Sequence, residues 1–391
     1  MLGSLGKFIS SSYLLSFLLS IMRKWAKMDS AAGRTLIVIA TTSGVGKGGD
    51  FGGLMKTGKL DIGFLERLLR KHAISDRRVV LGPKIGEDAA VIDPGESSDV
   101  YWVVTADPIT FTTEEIGYYG VVVNMNDIAT RGAVPKWFVV TLLFPEKGAT
   151  ARHIEKVFAQ IHDACRRFHI SVIGGHTEIS PGIDKMILSG NMIGEVRKEK
   201  LVTTGGARAG DLLVLIKGVC IEGTSIIARE KGVELRKRGI APSLLQRARN
   251  YIFRPGLEVL HAARVACGSA TVHSMHDPTE GGLINGIVEM AMASRKEIEV
   301  DFEKVPVYRE SRILCEAYGL NPLGVIASGA LLLTISPADF FTLQRALEAA
   351  SLPCHVIGRV KRGPTRVLAM EGRGKREVKL FRRDEILKIF E

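Results

Sequence analysis

The sequence predicts an α+β protein of two domains, and three observations carry that expectation. Short apolar strand candidates alternate with helical patterns through most of the 391 residues. A glycine-rich turn, Thr204-Gly205-Gly206-Ala207-Arg208-Ala209-Gly210, divides the alternation in two. Carboxylates and glycines recur at strand and helix edges on both sides of that turn.

Taken in order, residues 61–72 place Ile62, Leu65, Leu68 and Leu69 at amphipathic-helix spacing. Strands follow over 89–92 and 101–105, each with an aspartate at or beside one end, and a helix over 116–131 is closed by Gly132 and Pro135. Residues 139–144 read as a strand, 151–168 as a long helix and 171–173 as a buried strand that breaks at Gly174-Gly175; 186–196 is again a strand. Beyond the glycine turn, strands are expected over 211–217 and 271–275, with helices over 243–252 and 256–267. The pattern closes with 283–294, 330–335, 338–350 and 355–360, then strand-like runs over 366–370 and 377–381. The expected domains are 59–207 and 208–365, preceded by an extension, 1–58, and followed by a basic tail, 366–391.

The net charge of +11 is concentrated at the ends: residues 1–54 carry six Lys/Arg against two Asp/Glu, and 359–391 carry eleven against five. Without a basic motif interleaved with aromatics, that distribution argues against nucleic-acid binding. Five widely spaced cysteines, 165, 220, 267, 315 and 354, contain no Cys-x-x-Cys pair, which suits a reducing cytoplasm. His162, Cys165 and His169 share helical spacing, a weaker pattern for a metal than for ordinary packing. The apolar run 8–22 is too short for a stable membrane span. Gly44-Val45-Gly46-Lys47-Gly48-Gly49 imitates a phosphate loop, but Thr41 stands where its first glycine belongs and Gly48 where Ser or Thr belongs.

The chemistry-bearing motifs lie elsewhere. His276-Asp277-Pro278-Thr279-Glu280-Gly281-Gly282-Leu283 runs an acidic, hydroxyl-bearing loop through paired glycines into an apolar helix, the setting in which backbone amides meet a phosphate. Asp88 precedes a strand, Asp107 ends one, and Asp127 projects from the next helix beside Asn124. A polyphosphate needs magnesium held by carboxylates, so Asp88, Asp107, Asp127 and Asp277 are the candidate Mg2+ ligands, with Asp107, Asp127 and Asp277 the candidate catalytic groups. Asn124, Gly174, Gly175, His176, Thr177, Thr279, Gly281 and Gly282, together with Asp88, are the candidate ATP contacts. His276 reads as structural.

These motifs resemble those of the aminoimidazole ribonucleotide synthetase superfamily (PurM, ThiL, SelD and HypE) over roughly residues 60–365. Gly86-Glu87-Asp88-Ala89-Ala90-Val91 is similar to the family's Gly-Asp-Asp-Ala-Ala-Val, with Glu87 in place of the first aspartate. Thr105-Ala106-Asp107, Asn124 to Ala133 and Gly174-Gly175-His176-Thr177 resemble further family elements. The segment from His276 is most similar to HypE, where arginine usually stands in place of Glu280. The resemblance implies a PurM-like fold: an N-terminal sheet domain that pairs in a dimer barrel, and a C-terminal α/β sandwich domain. It also implies a homodimer with ATP between domains and across the dimer, and phosphoryl transfer to a small-molecule acceptor.

The departures bear on the acceptor. HypE ends in a cysteine-bearing tail, whereas the last cysteine here is Cys354. The reactive Cys or selenocysteine run of selenophosphate synthetases is missing, and Ala327-Ser328-Gly329-Ala330 replaces the thiamine kinase's Gly-Gly-Glu-Asp-Tyr. The expected function is therefore a HypE-like, ATP- and Mg2+-dependent enzyme of unassigned acceptor. The alternative is a non-catalytic nucleotide-binding scaffold that serves a protein partner in metallocentre maturation, as for hydrogenase.

Overall fold

The computed structural model describes residues 57–372 and 374–391; of the expected extension, only its last two positions fall within them. Thr57–Glu391 form one unit built on two sheets. The first sheet contains β1 (Val79–Leu81), β2 (Ala90–Ile92), β3 (Val100–Ile109), β4 (Val134–Pro145), β5 (Ser171–Ser180) and β6 (Ile187–Arg197), in the order β1-β2-β3-β6-β4-β5. The second contains β7 (Leu212–Ile216), β8 (Val272–His276), β9 (Glu297–Val300), β10 (Leu331–Ile335), β11 (Cys354–Lys361), β12 (Arg366–Glu371) and β13 (Gly374–Glu377), ordered β13-β12-β9-β11-β7-β10-β8. The helices are α1 (Ile62–Lys71), α2 (Ile116–Thr130), α3 (Ala151–Phe168), α4 (Ile221–Glu230), α5 (Gly232–Lys237), α6 (Pro242–Arg249), α7 (Leu260–Ser269), α8 (Gly282–Ser294), α9 (Arg309–Ala317) and α10 (Phe340–Ala349).

Helix α2 is the axis of the first half. Every one of its residues is buried, polar Asn124, Asn126 and Asp127 included, the signature of a helix enclosed on all sides. Its glycines permit that enclosure: a Cβ on Gly120 would sit 2.3 Å from Leu188 Cδ2 of β6. Helix α3 packs beside it through Val157, Ile161, Ala164 and Cys165, and Thr150 caps its start by accepting from the His153 N–H. Cys165 therefore faces the core while His162 faces solvent and His169 ends the helix, so the three do not form a metal site.

Strands β3 and β6 pair antiparallel from Val100↔Arg197 to Ile109↔Leu188, which fixes Asp107 opposite Gly190. Alternating burial along β6 matches a sheet with one face on the core. Strand β5 departs from expectation. It does not break at Gly174-Gly175 but continues to Ser180 as an edge strand parallel to β4, and nine of its ten residues are exposed. Gly175 lets it do so, since a Cβ there would lie 2.0 Å from the Val140 carbonyl oxygen.

In the second half, β7 is buried at all five positions and lies between β10 and β11. The sequence reading missed α4, α5, α9 and β9. Residues 366–391 are also not a detached basic tail: β12 pairs parallel with β9, β13 pairs with β12, and Ile386, Leu387 and Ile389 are buried. Their basic charge is met locally, with Arg366 on Glu297, Lys375 on Glu299 and Lys388 on Glu385. Among the described residues no helix is long and apolar enough to cross a membrane.

Candidate active site

Three elements of the first half and one of the second deliver the acidic residues. Asp107 is held by its backbone: its N–H donates to Asn124 Oδ1 at 3.0 Å, and Asn124 Nδ2 donates to the Asp107 and Gly120 carbonyls. Asn124, expected to contact ATP, is thus the brace that fixes α2 to β3. One helical turn on, Asp127 Oδ2 accepts from Thr105 Oγ1 at 2.5 Å. Burial, then the charges of Asp107 and Asp277, holds its carboxyl well above the ordinary range.

Asp88 lies just before β2, and its Oδ2 is an acceptor shared by Arg131 Nη2 at 3.1 Å, His276 Nδ1 at 3.0 Å and Thr130 Oγ1 at 3.4 Å. Burial opposes its ionisation, but the charges of His276, Arg131 and Lys59 prevail and lower its pKa. Asp277 follows β8 and is 1% exposed, with neither carboxylate oxygen hydrogen-bonded. Burial, then Asp88 and Asp107, raises its pKa well above normal despite His276 and Arg131. Asp88, Asp107, Asp127 and Asp277 therefore form one electrostatic cluster, in which burial and the neighbouring carboxylates favour the protonated forms of Asp127 and Asp277.

That pattern fits a divalent cation. The donor set is all oxygen, as magnesium prefers, and Asp277 has two acceptor oxygens without a partner. Among the described residues no three His, Cys, Asp or Glu side chains already converge to hold an ion. A magnesium ion here would complete its shell with water and phosphate oxygens, its usual mode beside a nucleotide.

Residues overlooked in the sequence supply the countercharge. Arg131 is fully buried; it pairs with Glu87 and Asp88 and donates to Thr204 Oγ1 at 2.7 Å and the Met275 carbonyl at 3.2 Å. A lone basic residue closing a mostly apolar helix was the available signal. Lys59 Nζ donates to Thr279 Oγ1 at 3.1 Å. Although desolvation opposes it, Glu289, Glu280, Asp107 and Asp88 raise the Lys59 pKa.

The expected glycines lie in two separate places. Gly281 and Gly282 open α8 with φ of 82° and 66°, conformations that favour glycine. Their amides, however, are committed: Gly281 N–H donates to Asp384 Oδ2 at 2.6 Å and Gly282 N–H to the Thr279 carbonyl at 3.0 Å. Here the paired glycines serve packing, since a Cβ on Gly282 would meet the Leu323 carbonyl oxygen at 2.6 Å. Gly174, Gly175, His176 and Thr177 are not brought to the aspartates. They lie on β5, three strands from Asp107 and so about 14 Å across the sheet, where His176 pairs with exposed Glu178 at 3.0 Å.

A six-stranded and a seven-stranded sheet, each with its helices, and a carboxylate cluster at their junction define a two-domain PurM-like protein. The chain belongs to the AIR synthase related protein family: the model of its N-terminal domain matches residues 86–196 and that of its C-terminal domain residues 208–370. A protein of Methanocaldococcus jannaschii, provisionally named a hydrogenase expression/formation protein, is 28% identical over 288 residues, spanning 72% of this chain and 80% of its own. Carbamoyl dehydratase HypE of Rhizobium leguminosarum bv. viciae is 27% identical over 247 residues, 63% of this chain and 67% of its own. The structure of AaThiL complexed with AMPPCP and TMP superposes with a TM-score of 0.63 at 22% identity, covering 84% of this chain and all of the other.

Proposed function

We propose that the protein is an ATP-binding, Mg2+-dependent enzyme that activates a small molecule by phosphoryl transfer, in the manner of its HypE-like relatives. The observation that carries this reading is Asp277: a buried carboxylate with both oxygens unpartnered, placed among three other aspartates. An unpaired buried carboxylate is costly unless a cation meets it. Magnesium, when bound, would supply charge neutralisation at the β- and γ-phosphates.

The chain's own residues do the rest. Asp107 and Asp127, fixed by Asn124 and Thr105, hold two carboxyl groups rigidly where α2 meets β3. His276 and Arg131 restrain Asp88, and Lys59 with Thr279 offers an ammonium and a hydroxyl to a phosphate. Fixed dipoles and charges of this kind stabilise a transferring phosphoryl group by positioning and electrostatics. Gly174 to Thr177 would join them from the exposed β5 of a second copy, so the working unit is a homodimer with ATP across its interface. Five free cysteines suit a cytoplasmic protein, and the names of the relatives suggest a protein partner in metallocentre maturation.

Calorimetric titration with AMPPNP, with and without Mg2+, tests the reading alongside ATP turnover. Asp277→Asn is expected to weaken Mg2+-dependent nucleotide binding about tenfold or more, ~1.4 kcal/mol, and to remove turnover. Binding that ignores Mg2+, or an Asp277→Asn protein with native turnover, would sink it. Tight Mg-ATP binding without turnover on any acceptor would instead favour the scaffold.

A further inference from the structure

A cleft of about 280 Å3 opens beside the loop that follows β3, and none of Asp88, Asp107, Asp127 and Asp277 lines it. Sites for drug-sized ligands run to roughly 300–1,000 Å3, so this one suits a smaller molecule. Four parts of the chain build it: the β3–α2 loop with Phe111, the end of β4 and its turn with Pro145 and Lys147, the β5–β6 loop with Asp184, Lys185 and Met186, and the end of α4 with Glu230.

The walls are tied together from both halves. Thr112 Oγ1 donates to Glu230 Oε1 at 3.1 Å and Arg229 Nη1 to Glu114 Oε2 at 2.7 Å, which fixes the β3–α2 loop against α4. The Phe111 ring stacks on Phe390 with centroids 6.5 Å apart and planes 15° apart. His153, also in the lining, packs edge-on against Phe144 at 5.6 Å. Phe111, Pro145 and Met186 give the cleft an apolar side.

Charge selects the ligand. Lys147 and Lys185 line the cleft together with Asp184 and Glu230, two ammoniums and two carboxylates in one cavity. Opposite charges so placed would ordinarily pair. Yet none of the four forms an ion pair among the described residues, and only Glu230 has a side-chain hydrogen bond, from Thr112. Lys185 instead holds its Nζ 5.4 Å from the Phe390 ring centroid, with Lys231 Nζ 6.0 Å from the same ring. A simple anion would meet the carboxylates and a simple cation the ammoniums. A molecule that carries both charges satisfies both sets at once.

We infer that this cleft binds a zwitterionic small molecule with an apolar or aromatic side chain, the chemistry of a free α-amino acid. Its carboxylate meets Lys147 and Lys185, its ammonium meets Asp184 and Glu230, and its side chain lies on Phe111, Pro145 and Met186. The site goes beyond the phosphoryl-transfer reading, because its ligand is held without the aspartate cluster.

The full-length protein is titrated by calorimetry with phenylalanine, 3-phenylpropionate and 2-phenylethylamine, without and with Mg-AMPPNP. Phenylalanine is expected to bind at least about fivefold more tightly than either singly charged analogue, the worth of one exposed ion pair. Lys185→Gln and Asp184→Asn, both at exposed positions, should each weaken phenylalanine by a similar factor and leave AMPPNP affinity unchanged. No binding of phenylalanine, equal binding of either analogue, or native affinity in both variants overturns the proposal. Displacement of phenylalanine by Mg-AMPPNP overturns it as well, since the cleft would then belong to the nucleotide.

Discussion

The His276 imidazole faces a carboxylate at each ring nitrogen, Asp88 Oδ2 and Glu289 Oε2, both at 3.0 Å. Two acceptors require both nitrogens to donate, so the ring is an imidazolium. Burial alone would lower its pKa, but Asp88 and Glu289 prevail and raise it to about 10. Because the folded value exceeds the unfolded one, the stability from this charge is fully present below about pH 6.5 and is lost as pH rises through 10. Between those limits one retained proton gives a slope of about 1.4 kcal/mol per pH unit. Chemical denaturation in EDTA from pH 7 to 9 should show that decline in the wild-type protein and its absence in His276→Gln. Equal slopes would mean that the histidine is neutral in the fold.

At the scale of elements, β5 leaves the most to explain. It is an edge strand open on both faces, with Val172, Ile173 and Ile179 each about half exposed. Unpaired strand edges attract a second strand, and a copy of the same sheet is the partner the proposed homodimer supplies. Ile173→Lys is expected to yield a monomer by sedimentation equilibrium and to weaken AMPPNP binding with it, because Gly174–Thr177 would no longer reach a neighbouring aspartate cluster. A dimeric Ile173→Lys protein would place the interface elsewhere. Part of this was legible in the sequence. The structure brings together Asp88, Asp107 and Asp127, which short motifs at strand and helix ends had marked in the sequence, and Asp277, because β8 ends beside them. Strand β5 was misread as buried because an apolar tripeptide looks the same whether it faces the core or lies exposed at a sheet edge. The sequence does not show that Asp384 and the Leu323 carbonyl lie against the glycine pair at 281–282.

For the molecule as a whole, Arg131 joins the two halves. Its guanidinium binds Glu87 and Asp88 of the first half, Thr204 in the glycine turn and the Met275 carbonyl of β8, while Glu87 also accepts from the Thr204 and Gly205 N–H groups at 3.0 Å. Neither residue drew a role from the sequence, because 44 positions separate them and the pair exists only after folding. A buried ion pair contributes little net stability, whereas removal of one partner strands the other, at about 3–5 kcal/mol. Arg131→Met should therefore destabilise the protein by roughly that amount in urea denaturation. Glu87→Gln with Arg131→Met should recover much of the loss, since no uncompensated charge then remains on Glu87. The double variant still lacks the bonds to Asp88 and Met275, so its two halves should protect the 204–210 amides from hydrogen exchange less well than in the wild type. If the single and double variants are equally unstable, the guanidinium matters for its shape and its bonds to Thr204 and Met275 rather than for its charge.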